Sequence, residues 1–310
     1  MKYNVAIIGY GYWGPKLSRN FSNSNNFEIK HVIDISAINL NKAKKNFPLC
    51  KISKNYKSIF NQKVDLVVIS TTTISHYKIC KFFLKFTNVL VEKPLSLTSK
   101  QVLELEELAK KNKKLLFVDY PFIFSGSVNY LSKIIKNNSF GKLNEIESFR
   151  EQAPIRKDIN VIWDLGVHDI SILNFLLGHN LNVVNVIKYK TKKLKKIDTA
   201  YINLIYKNNI KVLIKNSWIS PIKIRLIKFK FENAIVYYDE NDPLYKIKIY
   251  TLSKANKSLF NIKIPEIDIT EPLFRLVEYI EKSLNKKTNK IFENNFNLNI
   301  TKTLEKISKW

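Results

Sequence analysis

The sequence predicts an α/β domain built on a doubly wound parallel sheet, followed by an α+β domain with a large, mainly antiparallel open sheet. Three observations lead there. Short apolar runs alternate with helix-period segments through the first 120 residues, the pattern of successive βαβ units. Beyond residue 143, strand-like runs of alternating apolar and polar residues dominate. An apolar opening strand enters the turn Gly9-Tyr10-Gly11-Tyr12-Trp13-Gly14. That turn takes three of the chain's seven glycines, so it is no accident of a glycine-rich composition.

The elements follow in order. After the glycine turn, Pro15 suits a first helical turn, and Leu17 and Phe21 mark a buried helix face. A second strand, 27–33, ends at Asp34. A helix over 37–46 and a short strand near 51–52 come next. A buried strand over 64–70, a helix over 76–86 and a strand over 88–91 follow. Ser99 is placed to cap a helix through 111, and 114–118 reads as a strand. A helix over 125–137 precedes strands near 143–150, 182–189, 199–206, 210–218, 223–231, 234–239 and 245–251. Helices over 272–284 and 299–309 end the sequence given. The domains are read as 1–120 and 121–310.

Composition narrows the class. The 310 residues allow two domains, and 45% hydrophobic with 25% charged content is ordinary for a globular protein. No apolar run is long enough to cross a bilayer, and the N-terminus has no leader pattern. The two cysteines, Cys50 and Cys80, imply neither a disulfide framework nor a zinc site. No metal is expected, and a reducing cytoplasm is the simplest home. The net charge is +26, yet only five of the 52 basic residues are Arg. Base readout and phosphate clamps favour Arg, and the lysines are scattered, so nucleic-acid and membrane partners are not expected. A positive field still suits a small anionic substrate.

The motifs carry the chemistry. In the glycine turn, Gly9 permits the tight bend, Gly11 lets the backbone approach a pyrophosphate, and Gly14 lets the helix pack on its strand. This makes the first domain a dinucleotide-binding Rossmann domain. Asp34 follows Gly14 by twenty residues, where a carboxylate accepts from the ribose hydroxyls. It favours NAD over NADP: a carboxylate ~4 Å from a 2′-phosphate charge costs about 4 kcal/mol at an effective dielectric near 20. Glu92-Lys93-Pro94 closes a parallel strand, at the sheet edge that holds ligands. Asp164 and His168 lie four residues apart at the start of a helix that Gly178 stops, and so share one face. A carboxylate and an imidazole can divide orientation and proton transfer. Each motif has a plain alternative: a ligand-free glycine turn, a surface lysine, a helix cap, a core histidine.

Together the Gly-x-Gly-Tyr-Trp-Gly start, the Thr71-Thr72-x-x-x-His76 turn, Glu92-Lys93-Pro94 and Asp164-x-x-x-His168 resemble the Gfo/Idh/MocA oxidoreductases, in the same order and across nearly the whole chain. The run from Arg156 through Trp163-Asp164-Leu165 to His168-Asp169 is most similar to members of sugar-nucleotide and surface-polysaccharide pathways. Val167 departs from relatives that often carry Pro before the His. The resemblance implies oxidation or reduction of a sugar or polyol hydroxyl with NAD(P). It implies that Lys93 hydrogen-bonds the reacting oxygen, that His168 is the general acid/base, and that Asp164 orients substrate or imidazole. It also implies a cis peptide before Pro94. The cofactor is expected to meet Gly9, Gly11, Tyr12, Trp13, Gly14 and Asp34, then Ser70, Thr71, Thr72, His76, Glu92 and Lys93. Arg150, Gln152, Arg156 and Asn160 are candidate contacts to a sugar or diphosphate, and Tyr120 and Pro121 to a cleft floor. The expected partner is a sugar or nucleotide sugar, with a free sugar, an inositol-type polyol or a non-catalytic NAD sensor as alternatives. An open antiparallel sheet face suits a homodimer or homotetramer.

Overall fold

The computed structural model describes residues 2–192, 194–252 and 260–310. Met1 of the opening run and Lys193 of the Lys188–Lys196 basic cluster lie outside them. Among the described residues the chain forms two compact units. The first comprises Met1–Pro121 and Glu271–Thr301, the second Phe122–Thr270 and Lys302–Trp310. Reading 121–310 as one continuous domain misses this return of the chain.

In the first unit, β1 (Tyr3–Ile8), α1 (Gly14–Ser22), β2 (Phe27–Ile33), α2 (Ala37–Asn46), β3 (Lys51–Ser53), β4 (Leu66–Ile69), α3 (Thr73–Phe83), β5 (Asn88–Glu92), α4 (Ser99–Lys111) and β6 (Leu116–Asp119) alternate. The strands make one sheet in the order β3-β2-β1-β4-β5-β6, with every pair parallel. The order reverses between β1 and β4, and ligands bind beyond the carboxyl ends of strands at such a point. β4 and β6 are buried along their whole length, as strands covered on both faces must be.

Two boundaries differ from the sequence reading. Helix α3 spans Thr73–Phe83 instead of 76–86. The apolar run Phe82-Phe83-Leu84 reads on as helix, but the chain turns at Leu84 so that β5 can re-enter the sheet. Helix α4 is capped by Thr98, whose hydroxyl accepts from the Gln101 amide at 3.3 Å, so Ser99 is the first helical residue.

The second unit contains α5 (Gly126–Lys136), β7 (Leu143–Glu151), α6 (Val167–Leu177), β8 (Leu181–Tyr189), β9 (Thr199–Tyr206), β10 (Ile210–Ser217), β11 (Ile224–Phe231), β12 (Ile235–Asp239), β13 (Ile247–Leu252) and β14 (Phe260–Lys263). Its sheet runs β14-β13-β12-β11-β7-β10-β9-β8. Only β7 and β10 pair in parallel, at its centre; the other described pairs are antiparallel. Along β9 and β11 buried and less buried residues alternate, so one face is covered and the other open. The sequence reading lacks β14, all of whose residues are exposed. An edge strand with no buried face leaves no period-two signature.

Helix α7 (Pro272–Lys286) carries a buried stripe of Leu273, Leu276, Val277 and Ile280, and packs against α1. Its first turn is tied down by the Arg19–Glu271 ion pair at 2.6 Å, and its last by the Tyr3 hydroxyl donating to Asn285 at 2.6 Å. The chain then runs into α8 (Phe296–Lys309).

Candidate active site

The glycine turn is built from backbone. Gly9 has φ +93°, and a Cβ there would stand 2.6 Å from the Ser70 carbonyl oxygen. A Cβ on Gly14 would stand 2.2 Å from the Gly9 carbonyl oxygen, so only glycine lets α1 start this close to β1. A Cβ on Gly11 would meet no protein atom within 4 Å. Its backbone therefore borders open space, as a pyrophosphate cradle requires. No side chain caps α1, leaving its first amides for an anion. These residues fit a dinucleotide.

Asp34 does two jobs here. Its Oδ2 accepts from the Tyr10 amide at 2.6 Å and its Oδ1 from the Ser36 amide at 2.7 Å, with Asn39 Nδ2 at 3.2 Å. The carboxylate thus ties β2 to the glycine turn and keeps about one of its roughly four lone-pair sites for another donor. Beside it, Tyr10, Gly11, Asn39, Lys42, Lys45 and Asn46 line a cavity of about 300 Å³. Tyr12 is 75% exposed, and Lys16 Nζ lies 3.8 Å from its ring centroid.

The carboxyl ends of β4 and β5 supply the next group. Ser70 donates its hydroxyl to the Gly9 carbonyl at 2.7 Å, and the Thr71 and Ser75 hydroxyls share a hydrogen bond of 2.7 Å. Ile35 and Ile74, 88% and 73% exposed, stand just past β2 and at the start of α3. The sequence reading passes over both, since lone apolar residues carry no motif. The His76 ring is buried between the Pro94 carbonyl, 2.9 Å from Nδ1, and the Thr71 carbonyl, 3.2 Å from Nε2. It joins the two loops, which is not the open contact expected of it. The Lys93–Pro94 peptide is cis. Glu92 and Lys93 are both buried, and Glu92 accepts from the Lys93 amide at 3.2 Å.

In the second unit, a π-helical turn at Ile162–Gly166 precedes α6. Asp164 therefore lies outside the regular α-helix that begins at Val167, and the four-residue spacing to His168 is not one α-turn as expected. π-turns recur at functional sites. Asp164 accepts from Trp218 Nε1 at 2.9 Å and lies 3.7 Å from Arg156 Nη1. The His168 ring packs edge-on against Phe122, with centroids 5.0 Å apart. The neighbouring Asp169 is fully buried. It accepts from Ser148 at 2.9 Å, Arg150 Nε at 3.1 Å and Asn216 Nδ2 at 2.7 Å. A Cβ on Gly166 would stand 2.8 Å from Asn216 Oδ1, so the π-turn sits tightly on β10.

The four expected substrate contacts divide. Arg150 is 3% exposed and pairs with Asp169 and with Glu240 at 3.0 Å, beneath the Phe122 ring. It is a structural cation, and the expectation of a substrate contact is not met. Asn160 caps the π-turn, its Oδ1 accepting from the Ile162 and Trp163 amides at 3.1 and 3.2 Å. Gln152 has φ +60°, and its carbonyl accepts from Arg225 Nη2 at 2.8 Å while its side chain is exposed. Arg156 grips Asp158 with two hydrogen bonds of 3.0 and 2.6 Å and keeps part of its guanidinium open. Phe122, Asp169, Asn216 and Trp218 form this half of the site with no sequence signal, because they meet only through tertiary packing. Tyr120 is buried under Phe292 and Phe296, in the core of the first unit.

Comparison with known proteins agrees with this geometry. Residues 3–120 match the Gfo/Idh/MocA model, described as an oxidoreductase family with an NAD-binding Rossmann fold. The myo-inositol 2-dehydrogenase of Thermotoga maritima is 24% identical over 226 residues, covering 69% of this chain and 68% of that protein. KijD10, a 3-ketoreductase from Actinomadura kijaniata solved with NADP and TDP-benzene, superposes with a TM-score of 0.85. That match has 11% identity and covers 99% of this chain and 96% of the other. An oxidoreductase from Agrobacterium radiobacter, solved with NAD+, L-tartaric acid and magnesium, gives a TM-score of 0.86 at 14% identity, covering 100% of this chain and 96% of the other. The chain belongs to the Gfo/Idh/MocA oxidoreductases and is an NAD(P)-binding enzyme of that family.

Proposed function

We propose that this enzyme transfers a hydride between NAD and a hydroxyl or keto carbon of a sugar, carried as a nucleotide sugar. The observation that carries the reading is Lys93, the first residue past β5, at the same carboxyl edge of the sheet as the glycine turn. An ammonium there can donate to the oxygen of a carbon held at the nicotinamide. The bound cofactor accepts or supplies the hydride, and the protein binds, orients and moves one proton. His168 takes the hydroxyl proton during oxidation and returns it during reduction. An imidazole with an ordinary value near ~6.5 suits that exchange at neutral pH. Asp164, held by Trp218, orients the reacting group. Ile35 and Ile74 offer apolar surface to the adenine. Arg156, with its part-open guanidinium, supports an anionic leaving portion such as a diphosphate. TDP-benzene bound to KijD10 points the same way. The open face of the second sheet supports a homo-oligomer, which sedimentation tests.

NADH absorbance measured in both directions with UDP- and TDP-sugars, free sugars and inositols tests the substrate. Turnover of a nucleotide sugar above that of any inositol is the expected result. Equal or faster inositol turnover overturns the sugar reading, and NAD binding with no turnover of any of them favours a sensor. NADP is the second reading, favoured by Lys42 and Lys45 in the cavity beside Gly11. Tighter binding of NADPH than of NADH selects it.

A further inference from the structure

Strands β5 and β6 each end an apolar run on a carboxylic acid, as Leu90-Val91-Glu92 and Phe117-Val118-Asp119. The parallel register sets Glu92 directly beside Asp119. The two carboxyls hydrogen-bond each other and are almost wholly buried, at 5% and 1% exposure. Glu92 Oε1 and Asp119 Oδ1 have no other partner among the described residues. The charged group facing the pair is Lys93, which pulls on both acids. On α3, His76 is engaged by its two carbonyls, and on α4, Glu106 accepts from Asn297 at 3.2 Å.

Two ionised carboxylates cannot share such a space, and two neutral acids would leave the lysine without a counter-charge. We propose that Glu92 and Asp119 act as one buried acid holding a single shared proton at neutral pH, and that Asp119 is a positioning residue, supplying through this pair the one negative charge that holds Lys93 in place. Burial raises both acids. Glu92, raised further by its neighbour's charge, sits well above the carboxylate range, and Asp119 is pushed up to about 6. Glu92 therefore keeps the proton and donates it to an ionised Asp119. The two protons leave in steps that belong to the pair.

The shared proton stands independently of the reaction, whereas its consequence rests on the role proposed for Lys93. Infrared spectra of the full-length, cofactor-free protein at pH 7 test the first. The wild type is expected to show the carbonyl stretch of one protonated carboxyl, fading as pH rises. Asp119→Asn and Glu92→Gln, near-isosteric changes, are each expected to lose it. Absence of the band from the wild type, or its survival in both variants, overturns the shared proton. The second readout is turnover. Asp119→Leu removes the hydrogen-bonding partner and is expected to lower kcat about tenfold, one pKa unit's worth of interaction, with the KM for NADH little changed. Asp119→Asn, which keeps one ionisable carboxyl and a donor, is expected to restore kcat while removing the alkaline step of the pH profile. Equal kcat in wild type and Asp119→Leu overturns the positioning role. A shared proton in a protein that turns over no sugar upholds the pair and counts against the proposed function instead.

Discussion

The two units hold their functional groups by different means. In the first, the site is main chain: a glycine turn, an uncapped helix start and strand ends, with Asp34 accepting from two backbone amides. In the second, side chains hold side chains. Asp169 binds Ser148, Arg150 and Asn216, Arg150 reaches Glu240, and Trp218 holds Asp164. A backbone site is specified by local sequence, because a tight turn needs glycine whatever surrounds it. A side-chain network draws on residues up to 90 positions apart and exists only once the sheet has formed.

The largest effect that could break this contrast belongs to the second unit. Arg150→Ala would leave Asp169 and Glu240 without their cation, and breaking such a buried pair costs about 3–5 kcal/mol. Urea denaturation should show that loss; a change under ~1 kcal/mol would mean the network does not hold the unit. Next come the reacting groups. His168→Ala and Lys93→Ala should each lower turnover at least ~100-fold, the lower end of general acid–base effects, with melting temperatures near wild type. Near-normal rates in both would remove the assigned roles.

The glycine turn sharpens the other side. Gly14→Ala drives a methyl into the Gly9 carbonyl and should cost about 1–3 kcal/mol of stability. Gly11→Ala meets no protein atom, so stability should stay within about 0.5 kcal/mol while NADH affinity falls about tenfold, or ~1.4 kcal/mol. Equal behaviour of the two variants would contradict a turn built for a ligand. The smallest effect is a pH dependence. Burial pushes Glu106 up to about 7. Its folded state therefore favours the protonated form, and stability present below the ordinary value near 4.5 is lost as pH rises towards 7. Melting temperatures of Glu106→Gln relative to wild type should rise across that window. A difference independent of pH would refute it.

How much was legible follows from these means of support. The parallel sheet, the glycine turn, Asp34 and the strand that delivers Lys93 were readable, because apolar runs and glycines report burial and backbone geometry directly. The open sheet was readable from its alternation, except for the fully exposed β14. The destination of α7 was not: its apolar stripe demands a partner but does not say which, and packing on α1 decides it. Arg150 looked like an anion contact because a lone Arg near a catalytic helix has no local sign of its partners. Asp119 was passed over because an acid after an apolar strand looks like a strand end. Its register with Glu92 turns it into half of a buried pair.

Taken alone, the sequence determined the family, the dinucleotide-binding turn and the residue types available for chemistry, since each depends on spacing within a few residues or on period along one element. Only the tertiary structure decided that a π-turn carries Asp164, that Arg150 is structural, and that Glu92 and Asp119 meet. Those outcomes depend on which strands become neighbours, and hydrogen bonds and buried charge act through space with no regard for distance along the chain.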